Sequence, residues 1–390
     1  LNPAYRNLWS TVNCPYPHGN IDCWPWVIAV AQVLKEEPDR EASIQDVWKR
    51  LLQPGQLPIE DTSFAFVAIF GVLCWVTMTL CPTLSVDQLQ APACLTCKSQ
   101  TSSEEAPQQK LEKCRRPITA LFRTFKPHAW GPEPTTPTAL DENLYEASLN
   151  YYSLNEFANI SIGWVDTISD HLKFNPASRR LYLFRFPTFC ILQAIHTEER
   201  GALLHSIAEA LDPVASNAGN QDCYITLEQE VLLSYRLLFG KSTRSRKLAH
   251  SELAALKSDG RPFDQLLTPL CESRYRTRLC PWSRRSKHDR TLEKLPDWVW
   301  PVSCRDSEGN LQESDVYNAG SDFPRLGRRL LELQKFNLRQ RPSRLTDFWR
   351  DRRNPLQWYT FWIVLLVGGA GVILALLQLA VGIMQLVRSW

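Results

Sequence analysis

The sequence predicts a mainly α protein: a helical cytosolic module, interrupted by Pro-rich linkers, that ends in one C-terminal transmembrane helix. Three observations predict it. From Phe361 to Val387 the chain carries no charged residue, and roughly 20 apolar residues are enough to span a bilayer core. Proline (26) outnumbers glycine (16), which suits helices separated by proline-bearing loops better than a sheet built on glycine turns. Apolar residues recur at helical spacing in several stretches. With 44% hydrophobic and 22% charged residues, the composition is that of an ordinary folded chain.

Five segments follow in order. Residues 1–82 form an N-terminal helical segment. It opens on the irregular CPYPHGNIDCWPW, continues with a helix carrying Ile44, Val47, Trp48 and Leu51, and ends in an apolar helix over 64–81. That run is either buried in the module or a second membrane span. Its flanks, Glu60 and Asp61 before it and Pro82 after it, favour burial. Residues 83–139 read as a Pro/Ser/Thr-rich linker interrupted by the apolar island Ile118 to Phe125. Residues 140–270 read as the helical core. Ser153 with Glu156 suggests a capping box opening a helix with Phe157, Ile160, Trp164, Ile168 and Leu172 on one face. LYLFRF at 181–186 reads as a short buried strand. Helices follow at 188–211 and at 226–239, the latter opened by Thr226 and Gln229. Residues 271–356 form a basic, irregular juxtamembrane region, and 357–388 the transmembrane helix.

Orientation is read from charge. Basic residues crowd the N-terminal flank from Arg325 onward, including Arg339, Arg341, Arg344, Arg350, Arg352 and Arg353, whereas only Arg388 follows the helix. The positive-inside rule therefore keeps the bulk of the chain cytosolic and sends the tail across, as in a tail-anchored protein. No basic and apolar signal-peptide pattern opens the chain. The basic flank is placed to meet an anionic cytosolic leaflet, where each Lys or Arg near the surface contributes about 1 kcal/mol. Within the helix, Gly368, Gly371, Ala375, Gln378, Gly382 and Gln385 alternate spacings of three and four and share one face. Small residues permit close helix approach in lipid and glutamines hydrogen-bond across it, so the face is a candidate seam for self-association or a partner helix. Glycine is also common in transmembrane helices for other reasons.

Chemical motifs are sparse. Gly240-Lys241-Ser242 mimics the end of a phosphate-binding loop, but Tyr235 stands where that motif needs glycine, so Gly240 reads as a helix terminator. Cys94-x-x-Cys97 with Cys114, and His128 nearby, makes an incomplete zinc pattern. The twelve cysteines of this chain read mostly as reduced, buried residues. Asp166, Asp170 and His171 would lie on one helix, the two carboxylates four apart on a shared face, with His196 and His205 downstream, and are the enzyme candidates. Cys190 reads as core rather than nucleophile. The dense basic stretch 274–290, with Tyr275 and Trp282 interleaved, could meet lipid, nucleic acid or an acidic partner, or be a solvated loop; nucleic acid is not expected. DWVWPV at 297–302 reads as a packing or docking segment. Asn159-Ile160-Ser161 is a glycosylation sequon that a cytosolic placement leaves bare.

NYYSLNEFANISIGWVDTISDHLKF, LYLFRFPTFC, DGRPFDQLL, LPDWVW and the terminal WRDRRNPLQWYTFWIVLLVGG resemble a group of uncharacterised membrane proteins predicted from the genomes of filamentous fungi. The resemblance covers roughly residues 44–80 and 145–388 in the same order; the region around 271–290 is peculiar to this chain. It implies a membrane-anchored, cytosol-facing protein. It implies no activity, so no catalytic or cofactor residue is carried over. The expectation is a binding or scaffold protein with no cofactor, with an enzyme of unrecognised type or a two-span transport or sensing protein as the alternatives.

Overall fold

The computed structural model describes residues 24–37, 39–52, 62–82, 94–98, 101, 108–130, 142–195, 202–211, 225–260, 263–273, 292, 295–305, 311–340 and 355–389. Helices α1 (Trp24–Glu36), α2 (Ile44–Leu51) and α3 (Thr62–Thr77) pack on one another. Ser43 starts α2 through a capping box, its hydroxyl accepting from the Asp46 amide while the Asp46 carboxylate accepts from the Ser43 amide. The apolar run expected over 64–81 is this 16-residue α3. It lies inside the module, with Ala68, Ile69, Val72, Leu73 and Cys74 fully buried.

The stretch 83–139 differs from the linker expected of it. It contributes β2 (Cys94–Lys98), which pairs with β1 (Cys81–Pro82) and β3 (Gln108–Lys110), and then helices α4 (Ile118–Arg123) and α5 (Lys126–Trp130). Ile118, Leu121, Phe122, Phe125 and Ala129 are all buried. The polar, proline-bearing segments GPEPTTPT and SSEEAPQQ lie wholly or largely outside the described residues. The apolar island is a strut of the core.

Strand β4 (Asn143–Tyr145) leads directly into helices α6 (Glu146–Leu149) and α7 (Tyr151–Ala158). The expected capping box at Ser153 is replaced by Asn150, whose side-chain oxygen accepts from the Ser153 amide at 2.9 Å. Nor does the helix run on to Asn175. Asn159 closes it in the left-handed region, φ 52°, and the chain enters β5 (Ser161–Val165). The helical spacing of Ile160, Trp164 and Ile168 is overridden by β-branched residues and by parallel pairing with β7 (Arg180–Phe184). β6 (Phe174–Asn175) flanks β7 on its other side. Gly163 permits this pairing, because a Cβ there would press on the Arg180 and Tyr182 side chains.

Helices α8 (Pro187–Ile195), α9 (Ala202–Leu211), α10 (Leu227–Tyr235), α11 (Thr243–Ser258) and α12 (Leu267–Glu272) follow. Thr226 and Gln229 form the expected capping box of α10. α10 passes into a π-helical turn over Arg236–Gly240, buried throughout, before Ser242 caps α11. Strand β8 (Val316–Asn318) pairs with β4, and α13 (Gly327–Arg339) packs on α6 and α7. One contiguous apolar core runs from Val30 to Leu333.

The chain closes on α14 (Pro355–Ser389). Within it Trp362–Gln385 is a 24-residue stretch of mean hydropathy 2.5, long and apolar enough to cross a membrane, and none of it is buried. The protein is thus mainly α, with one candidate membrane-spanning helix among the described residues, at its C-terminal end.

Candidate functional site

The polar chemistry of the module is concentrated where α10, the π-turn and α13 meet, and nearly all of it is buried. Glu230, fully inside on α10, receives the start of α13: its Oε2 accepts from the Leu326 amide at 2.8 Å and the Arg325 amide at 3.0 Å. Its Oε1 accepts from Arg325 Nη1 at 3.0 Å. A carboxylate at these N–H groups satisfies donors that no helical carbonyl reaches and complements the positive end of the helix. Burial pushes the Glu230 carboxyl up to about 7, and Arg325 pulls it back.

Arg236, on the π-turn, forms a buried ion pair with Glu313, Nε to Oε1 at 2.7 Å, and donates from Nη1 to the Leu270 carbonyl at 2.8 Å and the Ser273 carbonyl at 3.2 Å. Gly240 leaves room for this pair, since a Cβ there would collide with the Glu313 carboxylate. Arg329 of α13 donates to the His171 carbonyl at 2.5 Å and the Ala129 carbonyl at 2.9 Å, with its guanidinium 4.9 Å from the Trp130 ring centre. Gln334 and Asn337 continue the seam. Gln334 accepts from the Tyr145 amide at 2.7 Å and Asn337 donates to the Ser148 carbonyl at 2.6 Å.

These contacts turn the first part of the basic flank, Arg325 to Lys335, to the module, and leave the membrane-facing expectation to Arg339 and the arginines after it. Arg325 and Arg329 point into the module, Lys335 pairs with Glu142 at 2.7 Å, and Arg328 donates to the Trp130 carbonyl at 3.0 Å. Arg339 is exposed at the end of α13. Arg341, Arg344, Arg350, Arg352 and Arg353 lie outside the described residues, as does the basic stretch 274–290.

Asp166, Asp170 and His171 do not share a helix. Asp166 follows β5 and contacts Arg185, while Asp170 is buried against Thr167 Oγ1 at 2.9 Å and Lys173 Nζ at 2.8 Å. Among the described residues His171 makes an arrangement that resembles a nucleophile with its base: its Nε2 lies 2.7 Å from Ser234 Oγ. Geometry assigns the protons. Nδ1 accepts from the Phe184 amide at 3.0 Å, so Nε2 carries the hydrogen and donates to Ser234, whose hydroxyl donates to the Val231 carbonyl at 2.7 Å. The serine is therefore not activated by a base. Burial, helped by Arg329, holds His171 down at about 3, hence neutral. Both side chains are fully buried. His196 lies outside the described residues, as does the His205 side chain.

The thiols read similarly. Cys94 and Cys97 stand three apart on β2 and so face opposite sides of the strand. Cys97 enters the core with Cys74, and burial raises the Cys74 thiol well above its usual range. The described cysteines are free, and Cys190 is a buried thiol raised in the same way. Among the described residues no group of three or more His, Cys, Asp or Glu is placed to hold a metal ion. Val299 and Trp300 of the DWVWPV segment are buried, and the Trp298 carbonyl accepts from Gln229 at 2.7 Å, so this part packs.

The Gly/Gln face of the candidate membrane-spanning helix is the remaining candidate. Gly368, Gly371, Ala375, Gln378, Gly382 and Gln385 are all exposed on α14, and a Cβ at Gly368, Gly371 or Gly382 would meet open space. Fold and site together define a helical module tied by a buried polar seam to α13, with an exposed apolar helix, α14, further along the chain. No family model, curated protein or solved structure matches the chain.

Proposed function

We propose that the protein is a membrane-anchored binding or scaffold module, held with its bulk in the cytosol by α14. The observation that carries this reading is the contrast between the two apolar helices. α3 is packed inside the core, whereas none of Trp362–Gln385 is buried, so its apolar surface suits a lipid bilayer. Residues 341–354 join α13 to α14, and about 15 residue steps reach at most about 50 Å. With α13 stitched into the module, the module stays within that distance of the bilayer. Arg341, Arg344, Arg350, Arg352 and Arg353, close to α14 in the chain, suit an anionic leaflet.

Truncation before Arg350 is expected to move the protein from the membrane pellet to the soluble fraction. If the truncated form still pelleted after a high-salt wash, α14 would not be the anchor. Asn159 is exposed at the end of α7, so its sequon reports topology: a glycan there would place the module in the lumen and reverse the orientation. The Gly/Gln face is the proposed seam for a second copy or partner helix. Replacing Gln378 and Gln385 together by leucine should weaken self-association by about 1 kcal/mol per lost amide contact, read as a shift toward monomer in detergent. An unchanged oligomer distribution would remove the seam.

A further inference from the structure

Two free thiols meet where α3 packs on the first sheet. β1 follows α3 closely in the chain, and its Pro82 pairs with Cys97 of β2, so β2 returns alongside the end of the helix and α3 packs on both strands. Leu95 and Cys97 point from β2 into the core, whereas Cys94 is half-buried on the other side of the strand. Cys74 of α3 is 0% exposed, as is Cys97, and the two thiols are in hydrogen-bond contact. Cys81 is near enough for its charge to act on Cys74. In register, however, it stands opposite Lys98, so on the sheet it takes the face away from Cys97. Cys74 and Cys97 are therefore the pair that the fold brings together.

We propose that Cys74 and Cys97 are a latent disulfide, closed by a low-molecular-weight disulfide such as oxidised glutathione when β2 lifts from α3, which then ties α3 covalently into the module. One protein thiolate attacks a sulfur of the small disulfide and releases one small thiol. The second attacks the resulting mixed disulfide and releases the other. Two protein S–H bonds are lost and one S–S bond forms. The two electrons and two protons leave on the two small thiols.

Burial keeps the pair unreactive while the module is closed, since the Cys74 thiol is raised well above its usual range and the thiolate is the nucleophile. Opening is a local event. β2 is held by two register pairs to β1 and three to β3, and so short a sheet opens far more readily than the whole core. Once formed, the bond closes a loop over residues 74–97 and holds in place the uncharged helix whose apolar surface would otherwise suit a bilayer. On the cytosolic placement proposed above, glutathione keeps the pair reduced at rest, so the lock responds to accumulation of oxidised glutathione. The chemistry itself does not depend on which way the module faces.

The test uses the full-length protein in detergent micelles, incubated with oxidised glutathione at about pH 8, where an opened thiol is partly ionised. Free thiols are then alkylated and the unreduced protein is cut with chymotrypsin after Trp75 and Leu95, which separates Cys74 from Cys97. Mass spectrometry should find the fragment ending at Trp75 joined to the one beginning at Thr96, and reduction should part them. The cross-link should survive Cys94→Ser and be lost in Cys97→Ala; should Cys97→Ala fail to fold, the wild-type map decides alone. The oxidised protein should show an unfolding constant lower by about 100-fold, the order expected for a closed loop of roughly 20 residues. Cys97 joined instead to Cys94 or Cys81, or Cys74 and Cys97 both alkylated after prolonged oxidation, would overturn the pairing. A bond that leaves the unfolding constant unchanged would overturn the lock.

Discussion

Replacing Glu313 by leucine is expected to destabilise the module by about 3–5 kcal/mol, because it strands the Arg236 guanidinium in the core. That guanidinium keeps only the Leu270 and Ser273 carbonyls, neither of which neutralises a charge. Both members of the pair have side chains 2% exposed, so water does not rescue the survivor. The double variant Arg236→Met with Glu313→Leu should recover most of the loss, since a buried ion pair replaced by packed apolar groups of similar size is often neutral or better. Urea denaturation of the three proteins separates the cases. Equal losses in the single and double variants would mean that the hydrogen bonds, and not the charge pair, hold the π-turn.

Phe122→Ala is expected to cost about 3–5 kcal/mol, the range for deleting a fully buried aromatic ring. Phe122 is 0% exposed, and its ring centre lies 5.7 Å from that of Phe70 on α3, which also meets Phe125 at 5.5 Å. The position tests the correction made to the 83–139 region. In a true linker the same substitution would fall within about ±0.5 kcal/mol. A loss that small, read as an unchanged denaturation midpoint, would return α4 to the status of a tether.

What could be read from the sequence was local. The box formed by Thr226 and Gln229, the helix with Ile44, Val47 and Trp48, the LYLF strand and the terminal apolar helix all announce themselves within a few residues of one another. What could not be read depends on partners far away in the chain. Ile160 to Val165 fits a helical stripe until Arg180–Phe184 arrives to pair with it. The Ile118–Phe125 island looks too small to matter because its partner, α3, lies some fifty residues earlier. The first part of the basic flank misled for the same reason. Arg325 and Arg329 are indistinguishable in sequence from Arg339, and only the distant Glu230, His171 and Ala129 show that two of the three face inward. A detectable hint did exist: Arg325 and Arg329 are four apart, with Leu326, Leu330 and Leu333 at helical spacing beside them, so the arginines border an apolar stripe. Glu313 carried no such hint.

The burial of α3 has a consequence for biosynthesis. Its 16 residues hold no charge, and the aromatic partners that cover it, Phe122 and Phe125, are translated about fifty positions later. At about 5–20 residues per second that gap lasts roughly 3–10 s, during which the nascent chain displays a segment that a chaperone or an insertion machine would bind. The module's correct placement therefore rests on a race: α4 must leave the ribosome and close over α3 before that segment is captured as membrane cargo. Slowing translation between residues 78 and 117 should raise the fraction of nascent chains held by chaperones, without changing a single contact in the finished protein.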